Sequence, residues 1–204
     1  MLIFVSVLKI GYSQTVVIGS QVWCNKNLEV SKFRNGDPIP EVKSNEAWEK
    51  AGENKQPAWC YYNYDSANGI KYGKFYNWYA VIDPRGLSPL GYHVPTDDEW
   101  TELSDFLGGK QVAGKILKME TILENEIQIG GWNGNNLHGF SALPGGYGFY
   151  FGGFDFMGSH GYFWSSTEGS ANSAYTRLLS GEDDVLVRAS YFKGGGLSVR
   201  CLKD

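Results

Sequence analysis

The chain holds only three cysteines, Cys24, Cys60 and Cys201, and no CxxC pair among them. A thiolate-based zinc site is excluded, because such sites need closely spaced Cys and His ligands. A basic excess is also lacking. Lys and Arg number 18 against 22 Asp and Glu, a net charge of −4 with a pI near 5.4. Nucleic acid is thereby excluded as a partner, since phosphate binding needs a positive field. Long hydrophobic runs are missing too. The run Leu2–Leu8 falls far short of the roughly 20 residues that a membrane-spanning helix requires. No transmembrane span is expected. Histidine is scarce, and His93, His138 and His160 lie in unlike contexts. No GxSxG elbow occurs, and no cysteine has an evident base partner. Gly194-Gly195-Gly196 lacks the strand–helix setting and lysine of a phosphate loop. A non-catalytic protein is therefore expected.

Glycine and aromatic residues are abundant: 27 Gly, 11 Phe, 7 Trp and 13 Tyr in 204 residues. Many glycines imply many turns, and the rings are held between them. The glycines keep no three-residue register, which excludes collagen. Hydrophobic residues make up 42% and charged residues 20%, the composition of a folded domain with one core. Residues 1–14 (MLIFVSVLKIGYSQ) read as a secretory signal, either truncated or weak, because no Lys or Arg precedes the apolar run. The alternative is a buried first strand. Export would place the chain outside the cell or on its surface. There, three cysteines allow one bridge and one spare thiol, while three buried free thiols are the other reading. The sequence does not choose the pair.

Local patterns outline an α+β chain over residues 15–204. Val16 to Leu28 reads as a hairpin around Gly19-Ser20. Arg34-Asn35-Gly36-Asp37-Pro38 is a turn. Ser44 caps a short helix from Asn45 to Ala51. Asp65 to Gly69 is expected to be a turn. Phe75, Trp78, Tyr79 and Ile82 recur at helical spacing, and Pro84 ends that helix. Thr96-Asp97-Asp98-Glu99 is a capping box opening a helix with Trp100, Leu103 and Leu107 inward. Capping and the helix dipole explain these three acids better than catalysis or a metal. A further short helix is expected over Gln111–Met119. Strands follow at Gly139–Leu143, Tyr162–Ser166, Ala174–Leu179, Val185–Ser190 and Leu197–Leu202, the last three as an antiparallel meander. The expected architecture is a single domain with two main helices and this C-terminal meander.

Six phrases come in order: Gly19-Ser20-Gln21-Val22-Trp23; Lys71 to Ala80 (KYGKFYNWYA); Gly91 to Trp100 (GYHVPTDDEW); Gly139 to Gly146 (GFSALPGG); Phe163 to Glu168 (FWSSTE); and Ser198-Val199-Arg200-Cys201. Together they closely resemble the Fibrobacter succinogenes major paralogous domain, widespread in Bacteroidetes as exported or surface proteins. The resemblance implies a C-type-lectin-like fold, related to the formylglycine-generating-enzyme group, and a role in display, adhesion and ligand binding. The copper-using relatives of that fold rely on a late cysteine pair, and only Cys201 lies there. Some family members carry a second cysteine where this chain has Gly69.

Sugars are held by stacking rings on their apolar faces and aiming amides and carboxylates at their hydroxyls. Trp132, Asn133, Asn135, Tyr147, Tyr150, Phe154, Trp164, Glu168 and Asn172 supply those groups in the C-terminal half. They are the candidate ligand-binding residues, among the neighbouring rings Phe151, Phe156 and Tyr162. The alternative for each ring is a place in the core. The expected partner is a glycan or a surface protein. No cofactor is required, although Asn133, Asn135, Glu168, Asp183 and Asp184 are the hard oxygen donors that a structural calcium ion would take. The other reading of the whole is a structural or protein-interaction module of a cell-surface assembly.

Overall fold

The computed structural model describes residues 14–120, 123–124, 127–128 and 131–204. The signal reading of residues 1–14 lies outside this region except for Gln14. The chain is α+β. A four-stranded antiparallel sheet joins β1 (Thr15–Ile18), β2 (Gln21–Cys24), β13 (Leu202–Lys203) and β5 (Tyr92–His93) in that order. Gly19 turns between β1 and β2 at a φ of 62°, a conformation that costs glycine nothing. The second sheet is a three-stranded meander of β10 (His160–Glu168), β11 (Ser173–Ser180) and β12 (Leu186–Phe192). Two-stranded pairs complete the strands: β3 (Trp59–Cys60) with β4 (Phe75–Tyr76), β6 (Leu123–Glu124) with β7 (Ile127–Gln128), and β8 (Tyr147–Gly148) with β9 (Phe154–Asp155).

The helices are α1 (Asn45–Glu53), α2 (Ser66–Tyr72), α3 (Trp78–Val81), α4 (Asp97–Phe106) and α5 (Lys110–Leu117). Ser44 caps α1 through Ala47 N–H, and Thr96 and Glu99 form the expected capping box on α4. Glu99 does the capping, whereas Asp97 turns inward and pairs with Arg177 and Arg188 at 2.5 and 2.8 Å. Three expectations change. The helix through Phe75 and Trp78 is a strand, β4, followed by a single turn, α3. Buried Asn77 separates them: its Oδ1 accepts from Ala80 and Ala58 N–H while its Nδ2 donates to Gln56 C=O. Asp65 to Gly69 is not a turn. Asp65 caps α2 through Ala67 N–H. Gly139–Leu143 and Leu197–Ser198 are not ladder strands either. They cross the core as isolated bridges, Ala142 to Lys118, Leu197 to Tyr76 and Ser198 to Phe163. The last strand therefore leaves the meander and lies between β2 and β5.

The phrases singled out in the sequence build the core. Trp164 Nε1 donates to Tyr76 C=O at 2.8 Å, and Trp78 Nε1 donates to Ser165 C=O at 3.0 Å. Trp23, Trp100, Phe140 and Phe163 pack in one cluster with Trp132. Arg200 is fully buried between Phe140 and Phe163, with its guanidinium donating to Asn27 Oδ1 and to the carbonyls of Cys24, Phe140 and Ser141. Burial lowers its pKa, yet four acceptors hold the charge. All three cysteines are buried, and none is bonded to another in this structure.

Candidate ligand-binding surface

The C-terminal rings divide into two sets. Trp132 and Trp164 are buried, at 1% and 0% exposure. Trp132 Nε1 donates to Ala142 C=O at 3.2 Å, so both indoles have their polar atom satisfied inside. These two expected ligand contacts are core residues: a large ring with its N–H bonded to buried backbone has nothing left to offer a ligand. The other set faces outward. Tyr150, Phe151, Phe156 and Phe192 are 44%, 47%, 41% and 52% exposed, with Met157 beside them at 38%.

These outward rings form one connected surface. Phe192 lies 4.8 Å from Tyr150, which meets Phe151 edge-on at 5.0 Å. Phe151 stacks on Phe149, Phe149 meets Tyr147 at 4.9 Å, and Tyr147 stacks on Phe156 at 5.9 Å. Phe156 then packs on His160 at 4.4 Å. Partly buried Tyr147, Tyr162 and Tyr191 form the base and reach Trp164 in the core. Phe154 stands apart. It is partly buried against Tyr62, Tyr64 and Phe75 and braces the hairpin from behind.

Glycine makes this surface buildable. Gly148 and Gly196 exchange backbone hydrogen bonds at 2.8 and 2.9 Å. Gly152 has a φ of 86°, and a Cβ there would lie 2.4 Å from Asn45 Cβ. Asn45 Oδ1 in turn accepts from Gly153 N–H at 2.9 Å, tying the ring-bearing loop to α1. Phe156 itself has a φ of 62°, a strained value for a bulky residue. Its N–H donates to Asp155 Oδ1, which offsets part of that cost.

The polar candidates scatter. Asn172 and Glu168 are exposed at the β10–β11 turn, where Glu168 pairs with the ammonium of Lys193, a buried residue whose ammonium also sits over the Trp78 ring. Ser159 Oγ and His160 Nδ1 are 2.9 Å apart beside Phe156 and add hydrogen-bonding groups to the aromatic surface. Asn135 is exposed and Asn133 partly buried in a different region. There the ammonium of buried Lys118 donates to Asn133 Oδ1, Ser180 C=O and Asp183 C=O. Of the five donors named for calcium, Asn133 Oδ1 and Asp183 C=O already face the Lys118 ammonium, Asp184 pairs with Lys115 at 3.7 Å, Asn135 Oδ1 accepts from Leu137 N–H, and Glu168 pairs with Lys193. Among the described residues no group of three His, Cys, Asp or Glu converges as a metal site. An open groove of about 510 Å³ beside α4 is lined by Asp98, Glu102, Asp105, Ser20 and Phe106, with Ser20 donating to Glu102 at 2.5 Å.

Phe192 was not among the expected site residues. Its signal is the period of β12: Arg188, Ser190 and Phe192 are all exposed on one face, so an apolar ring stands where polar residues precede it. The fold and surface define an α+β protein with an outward aromatic patch on a glycine-built C-terminal half. The chain belongs to the Fibrobacter succinogenes major domain family (Fib_succ_major), which matches residues 16–203. No curated protein and no solved structure matches it. No helix among the described residues is long and apolar enough to cross a membrane.

Proposed function

We propose that the chain is an exported or surface-displayed, non-catalytic recognition module of C-type-lectin-like fold that binds glycan on its outward aromatic patch. The single observation behind this reading is the run of exposed rings Tyr150, Phe151, Phe156 and Phe192. Contiguous exposed rings are costly to solubility and mark interaction surfaces. Glycan is favoured because the rings stand beside hydroxyl and imidazole groups, the Tyr150 hydroxyl and the Ser159–His160 pair next to Phe156. Such a surface stacks on a sugar face while bonding its edge. Binding needs no cofactor in this reading, because stacking on rings and hydrogen bonding to hydroxyls require no metal ion.

The second reading, a protein-interaction module of a surface assembly, is favoured by Phe151, Phe156, Met157 and Phe192, which offer no polar group. A glycan array probed with and without calcium separates the two. The glycan reading expects hits independent of calcium, lost in Tyr150→Ala and Phe192→Ala. An empty array together with retention of a specific protein in pull-down overturns it in favour of the second.

A further inference from the structure

The register of the first sheet brings two of the three cysteines together. Trp23 is the β2 partner of Leu202 in β13. One step along the same antiparallel ladder, Cys24 stands opposite Cys201, and Cys24 N–H donates to Cys201 C=O at 2.9 Å. Directly opposed residues project to the same face of a sheet. Both side chains accordingly lie in one buried cluster with Trp164 and Val199. Hydrogen-bonded antiparallel partners have Cα atoms about 5.5 Å apart, inside the range that a disulfide spans. Cys60 lies in a separate cluster with Trp48 and Phe75.

We propose that Cys24 and Cys201 are a disulfide-forming pair and that Cys60 remains a thiol. The bridge would clamp the N-terminal hairpin to the last strand, closing nearly the whole chain into one loop. Cys24 and Cys201 each give up a proton and together two electrons as the S–S bond forms. A small-molecule disulfide such as oxidised glutathione accepts them and leaves as two thiols. Both cysteines are buried, so exchange occurs before the sheet closes, during folding.

The test is refolding of the full chain in a glutathione redox buffer, alkylation of remaining thiols under denaturing conditions, and non-reducing peptide mapping. The expected result is one cross-linked peptide pair containing Cys24 and Cys201, with Cys60 alkylated. A melting temperature higher by about 5–10 °C should accompany it and vanish on reduction. Cys60→Ala should keep the cross-link, and Cys24→Ala should leave Cys201 alkylatable. The peptide map of the unmodified chain decides the matter even where a variant fails to fold. Three alkylated thiols after refolding, or a bridge that includes Cys60, overturns the proposal.

Discussion

A ring's value to a ligand depends on where its polar atom goes and how much of its face water sees. Trp132 and Trp164 have indole N–H groups bonded to buried carbonyls and no exposed face. Truncating either to Ala should cost about 3–5 kcal/mol, seen as a lower urea midpoint, because a cavity replaces the ring. Tyr150→Ala and Phe192→Ala remove rings that are about half exposed, and should each cost under about 1 kcal/mol in the same measurement. If the two pairs lose equal stability, the division into core and surface rings is wrong. Phe156 shows a further cost at this scale. Its left-handed backbone is strained by about 1–3 kcal/mol, a cost that glycine at this position would not carry. Sequence spacing could not separate these residues. Trp, Tyr and Phe alternate with glycine throughout the region, and only the path of the backbone decides which rings turn in.

Elements with local causes were legible in the sequence, and those with distant causes were not. The capping box of α4, the cap of α1 and the hairpin of β1 and β2 rest on neighbouring residues and appear as expected. The break between β4 and α3 arises from Asn77 bonding Ala58 and Gln56, which lie 19 and 21 residues earlier in the sequence. The final strand's choice of sheet arises from β2, near the start of the chain, and β5, near its middle. The six phrases named the family because they make core crossings such as those of Trp78, Trp164 and Arg200. By the same token they said little of the ligand. One element-scale clamp is Lys118, which ties the end of α5 to Asn133 and to the turn after β11. Burial lowers its pKa, and Asp184 and Asp183 oppose that shift. Lys118→Met should lose about 3 kcal/mol or more, because three acceptors are left without their donor. Gly134→Ala should disrupt the same junction, since a Cβ there would lie 2.1 Å from Lys118 O. Circular dichroism melts would show both as large drops, and an unchanged melt for either contradicts the clamp.

Across the whole molecule, His93 ties three parts together. Its Nδ1 meets Asp204 at 2.7 Å beyond β13, and its Nε2 meets Glu99 at 2.9 Å on α4. Burial opposes the charge, but the hydrogen bonds to both carboxylates raise the His93 pKa above 6.5. Burial likewise opposes ionisation of Glu99, and bonds from Thr96 and His93 outweigh it and lower its pKa below 4.5. The histidine's contribution is full below its unfolded pKa and is lost as pH rises through the raised folded value. That of Glu99 is present above its unfolded pKa and is lost as pH falls through the lowered one. Stability from this triad should therefore peak between the two ranges, near pH 5–6. His93→Gln should remove the decline on the alkaline side, and a melting temperature that falls equally with pH in both proteins contradicts the assignment. The proposed role of the ordered core is to hold a patch of rings against a sugar. The most direct measurement is aromatic-detected NMR of the chain titrated with the strongest glycan from the array. Shifts confined to the rings of Tyr150, Phe151, Phe156 and Phe192 are expected, with the Trp132 and Trp164 indoles unmoved. Shifts centred elsewhere, or none at saturating glycan, would contradict it.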